Sequence, residues 1–122
     1  MVTGFDPYCR DGRPWAWRDG LSISVEPGTR QRTLIVSLSG ELDACNAQSL
    51  FDAVSGLDLD GDRTVVLDFT GLRFCDAAGV SAVLQVNRFL RDRGGGLTVR
   101  GISGLPRRVF TLTGIDQVIE IE

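Results

Sequence analysis

Two aspartates, Asp43 and Asp76, stand where helical patterns begin, and an acidic run, Asp58-Leu59-Asp60-Gly61-Asp62, lies between them. Paired carboxylates at loop ends suit divalent-cation binding or acid–base work. The remaining parts of such a centre are missing. With no histidine in the chain, the usual general base, the serine–histidine pair and imidazole ligation are all removed. A calcium loop starting at Asp58 needs a bidentate glutamate where Phe69 stands, so the run reads as a solvated connection. No third ligand accompanies Asp43 and Asp76, and each already has a helix-capping role to fill. No metal, cofactor or catalytic function is expected. Cys9, Cys45 and Cys75 are odd in number and widely spaced with no CxxC, which suggests neither a disulfide framework nor a zinc site and fits a reducing cytoplasm. A helix start favours a thiolate at Cys75, but Asp68 and Asp76 oppose it, so Cys75 is expected to be a small packing residue.

These residues must be positioned by one domain, because 122 residues at 43% hydrophobic support one core and not two. A net charge of −3 argues against a nucleic-acid binder. Neither a leader pattern nor about 18 consecutive apolar residues occurs, so membrane insertion is not expected. Residues 1–20 show no period and predict an irregular arm. In it Trp15 and Trp17 either pack on their own domain, cover a sheet edge or apolar patch, or serve a partner.

The domain is expected over residues 21–122. Leu21-Ser22-Ile23-Ser24-Val25 alternates and predicts a half-buried strand, paired as a hairpin with a second over 33–38. Gly40-Glu41-Leu42-Asp43 is expected to break that strand. Asp43 would then cap a helix carrying Ala47, Leu50, Phe51, Val54 and Leu57 and ending near Gly56. Val65-Val66-Leu67 is apolar on both sides and predicts an interior strand covered on each face. After a turn, Asp76 caps a helix from Ala77 to about Arg93, with Ala82, Val83, Val86, Phe89 and Leu90 inward and Ser81, Gln85, Arg88 and Asp92 outward. Between these faces runs a mixed stripe of Val80, Leu84, Asn87 and Arg91, which fits either a modest interface or the edge of the core. A strand at Leu97-Thr98-Val99 follows. A short helix opened by Leu105-Pro106 then points Val109, Phe110 and Leu112 inward, ends at Gly114, and leads to a last strand over 118–121. The order β-β-α-β-α-β-α-β predicts an α/β fold, a mixed and mostly parallel sheet packed with helices.

That order, with Leu38-Ser39-Gly40-Glu41-Leu42-Asp43, Val65-Val66-Leu67-Asp68-Phe69-Thr70-Gly71-Leu72, Phe74-Cys75-Asp76-Ala77-Ala78-Gly79-Val80 and Leu112-Thr113-Gly114-Ile115-Asp116, resembles the STAS domain family, and within it the bacterial anti-sigma factor antagonists. The resemblance implies a cytoplasmic module that docks an anti-sigma factor, often a serine kinase of the GHKL ATPase fold, and so frees a sigma factor. It also implies that the second residue after the aspartate is commonly the phosphorylated serine. Here that position is Ala78, beside Ala77 where a hydroxyl is often found. Together with the helical stripe, the expected partner-binding residues are Asp43, Cys75, Asp76, Ala77, Ala78, Gly79, Val80, Leu84 and Arg91, the small ones admitting a close partner backbone. Phosphate at position 78 would add about −1.5 to −2 charges beside Asp76 and Asp43, and alanine cannot accept it. Ser81 and Thr70 are the nearest hydroxyls and read as ordinary surface groups. The alternative is a scaffold that pairs with other STAS chains, with itself or with a transporter component.

Overall fold

The computed structural model of the chain describes residues 15–18, 20–30, 32–57 and 64–122. Expectations for residues 1–14 and for the acidic run 58–62 fall outside them. In chain order the elements are β1 (Trp15–Arg18), β2 (Leu21–Pro27), β3 (Thr33–Leu42), α1 (Ala47–Ser55), β4 (Thr64–Cys75), α2 (Ala77–Asp92), β5 (Gly96–Arg100), α3 (Gly104–Thr113), a 3₁₀ turn (Ile115–Gln117) and β6 (Glu120–Ile121). From Leu21 onward this is the expected order.

The strands lie side by side in the order of the chain, β1-β2-β3-β4-β5-β6. The first two pairings are antiparallel and the other three parallel. Connections between parallel strands are right-handed almost without exception. When every such connection also steps in the same direction across the sheet, all the helices fall on one side. Burial follows: Leu21, Ile23, Val25, Val36, Leu38, Val65, Leu67, Phe69, Leu97 and Val99 share one core with Leu50, Val54, Val83, Val86, Leu90 and Phe110 from the helices. Edge-on aromatic contacts link the layers and the helices, Phe69 to Phe110 at 5.5 Å and Phe51 to Phe89 at 5.7 Å between ring centroids. The opposite parity, Ser22, Ser24, Ile35, Ser37, Val66 and Asp68, is only half-buried.

Several expectations need correction. Val65-Val66-Leu67 is interior, but the described residues cover it on one face only. The arm is not irregular throughout, since Trp15–Arg18 pairs antiparallel with Leu21–Ser24 and occupies the edge of β2. Gly40 does not end β3. It adopts φ +104° and stays in the strand, with its α-carbon so close to the Gly20 carbonyl that a β-carbon would collide. The turn expected after residue 70 is strand as well, because β4 runs on beside Ser39–Leu42 with two register shifts. Leu112 points to solvent, being 78% exposed. The last strand is shortened to Glu120–Ile121 by the 3₁₀ turn.

Phe69 anchors α3 to the central strand. Phe69→Ala is expected to lower unfolding free energy by about 3–5 kcal/mol, read as a fall in urea midpoint with little change in slope.

Candidate protein-docking site

Leu42 and Cys75 end two parallel strands in register, so the residues that follow, Asp43 and Asp76, emerge together at one end of the sheet. The Asp76 N–H donates to the Leu42 carbonyl at 3.2 Å and ties the two loops. Asp76 is extended, and its Oδ1 accepts the Gly79 N–H at 2.9 Å, as an N-cap should. This cap was legible from the sequence.

Asp43 behaves differently. Its Oδ1 accepts the Cys45 N–H at 2.9 Å, closing a tight turn, and α1 begins only at Ala47. Asn46, buried, fastens that turn: its Oδ1 accepts the Asp43 N–H and its Nδ2 donates to the Glu41 carbonyl, both at 2.9 Å. The sequence reading missed Asn46, although asparagine just before an apolar helical run is itself a start signal. With both carboxylates engaged by backbone donors, the pair is held for shape. Among the described residues no group of three or more His, Cys, Asp or Glu side chains could hold a metal.

The expected partner-binding residues separate into two layers. Ala77, Leu84 and Arg91 are exposed, while Asp43, Asp76 and Ala78 are half-buried. Cys75, Gly79 and Val80 are buried, so they support the surface from below. A β-carbon at Gly79 would stand 2.8 Å from Cys75 Sγ and 2.9 Å from the Leu42 carbonyl oxygen. The missing side chain admits the protein's own strand, not a partner's backbone. The helical stripe divides in the same way, Asn87 being buried with Val80. Ser81 lies on the outer surface one turn beyond the cap.

Burial, and then the charge of Asp76, push the Cys75 thiol up to about 12, so it stays protonated. Asp68 faces elsewhere. Burial works against its charge, but the Thr70 hydroxyl at 2.6 Å, the Thr70 N–H at 2.9 Å and Arg100 Nε at 3.0 Å outweigh it and hold the carboxyl below its ordinary 3.8.

The chain belongs to the STAS domain family, whose model described as "Mlab, STAS domain" matches residues 26–120. The anti-sigma-B factor antagonist of Listeria monocytogenes is 27% identical over 103 residues, 84% of this chain and 90% of that protein. The crystal structure of an anti-sigma factor antagonist from Mycobacterium paratuberculosis aligns with a TM-score of 0.71 at 25% identity, over 83% of this chain and 84% of that one. A sulfate transporter family protein from Wolinella succinogenes shares the fold alone, with a TM-score of 0.67 at 14% identity, over 95% of this chain and 85% of that one. The single α/β domain expected from the sequence is thus a STAS fold. No helix of the described residues is long and apolar enough to cross a membrane.

Two outcomes follow from the side-chain environments. In a Cys9→Ser background a thiol reagent should modify exposed Cys45 rapidly in the native protein, and buried Cys75 only on unfolding. Because the folded-state pKa of Asp68 is depressed, its stabilisation is present above the unfolded value near 3.8 and lost as pH falls through the lower folded value. Asp68→Asn should therefore flatten the acid limb of a stability-versus-pH curve. The loss at neutral pH should be about 0.5–1 kcal/mol, the partner guanidinium being partly in water.

Proposed function

We propose that this chain is a protein-docking module that antagonises an anti-sigma factor, using the surface around the start of α2, and that it lacks the usual phosphorylation switch. The observation that carries the reading is the Asp76-capped helix start, which presents Ala77 and Ala78 where a phosphoacceptor serine is expected. The names of its relatives support an anti-sigma factor as the partner, and the family resemblance suggests a serine kinase of the GHKL type in the cytoplasm.

The physics of the switch explains what its loss would mean. A phosphate on the second residue after the cap would bring close to two negative charges next to Asp76 and to Asp43. The helix terminus tolerates that charge, whereas a partner surface fitted to a small neutral residue does not. Alanine holds the surface permanently in its neutral form. Docking would then be set by the amounts of the two proteins and not by kinase activity.

Affinity capture from lysate of the source cell, with mass-spectrometric identification, should recover an anti-sigma factor. Ala77→Trp, on an exposed position, should reduce recovery at least tenfold while leaving circular dichroism and melting unchanged. Incubation with the captured partner and ATP should leave the wild type unmodified at this helix. Ala78→Ser should gain one phosphoryl group, about 80 Da, and lose affinity. Recovery of other STAS chains or a transporter component in place of an anti-sigma factor would replace this reading with the scaffold.

A further inference from the structure

With the described helices on one side, no described element covers the other face of the sheet, which carries a shallow cleft of about 560 Å³. Its floor is a row in register across the parallel strands, Ile35, Val66 and Thr98, which Glu120 of β6 continues. A solvated sheet face ordinarily alternates to polar residues, as Ser22, Ser24 and Ser37 do here. Ile35 and Val66 break that rule side by side, and both are half-buried.

The rims of the cleft carry opposite charges. Arg30, on the turn between β2 and β3, forms one side, and Glu120 and Glu122 form the other. None of the three makes an ion pair with a described residue, whereas Arg100, between them, is already paired with Asp68. β4 lies midway between the rims. A two-fold axis along β4 would turn each basic rim toward the acidic rim of another copy, lay Val66 on its counterpart and place Ile35 against Thr98 of that copy. Such a surface is complementary to itself, as two-fold interfaces must be.

We propose that the open face of the sheet pairs with the same face of a second copy of this chain. The contact is small. Four strand spacings by about five residues is roughly 19 by 17 Å, well under the ~800 Å² per partner of a standard stable interface. The dimer is therefore weak and salt-sensitive, with a dissociation constant of order tens of micromolar. It leaves the α2 surface free, because the helices lie on the far side of the sheet. It is also independent of which partner docks there.

The test is sedimentation of the full chain from about 5 to 500 µM, spanning that constant. A reversible monomer–dimer equilibrium is expected, weakened at least tenfold by raising salt to about 1 M. Arg30→Glu alone, and Glu120→Arg with Glu122→Arg alone, should each weaken pairing at least tenfold by opposing like charges. An equimolar mixture of the two variants should recover wild-type affinity, because each rim again meets its opposite. All substituted positions are exposed, and circular dichroism checks the fold. A wild type that stays monomeric throughout overturns the proposal. So does a dimer indifferent to the substitutions, or a mixture that fails to recover. A chain that dimerises only when residues 1–14 are removed would show the face covered from within, and would overturn it too.

Discussion

Helix α2 can begin where it does only because position 79 has no side chain. The first turn of the helix lies against the end of β3, with the Leu42 carbonyl and the Cys75 sulfur occupying the space a β-carbon would need. That contact sets the helix start flush with the sheet end, lets Asp76 reach the N–H at position 79, and seals Cys75 away from water. It also fixes which small residues face outward. Turning the helix by one residue would bury Ala78 and expose Gly79, and the surface would become a different one.

The parts of the fold written by burial were the legible ones. Leu21, Ile23 and Val25 alternate because one face of the sheet packs on the core, and the pattern of α2 separates an inner from an outer face just as plainly. The far half of β4 was hidden because Thr70-Gly71-Leu72-Arg73 has the composition of a turn. Only its pairing with Ser39–Leu42, distant in the chain, keeps it extended. Four residues, Trp15–Arg18, are too few to show a period, so β1 was invisible for a different reason. Leu112 sits one helical turn from half-buried Val109, yet no described residue lies over that side of α3.

At the site, residue type was legible and direction was not. Asp76 was read correctly because a cap is a local signal. Asp43 carries the same signal, but a three-residue turn held by Asn46 intervenes before α1. Gly79 was recognised as special for its size, while only the structure shows that the close approach is internal. In water the exposed Arg73–Glu41 contact at 3.9 Å adds little to holding these loops. The Asp76–Leu42 backbone hydrogen bond, the side-chain bonds of Asp43, Asn46 and Asp76, and the glycine contact hold them.

The order of the strands bears on how the chain comes to be folded. Each strand pairs only with the strands before and after it in the sequence, so no early segment has to wait for a late one to insert beside it. During synthesis the β2–β3 hairpin can form as soon as it emerges, and every later strand then finds a ready-made edge. The loops to be closed are limited to single crossovers, which keeps the entropy of each step small. A sheet assembled in this way grows from its amino-terminal side and is finished by two residues, Glu120 and Ile121, at its carboxyl end.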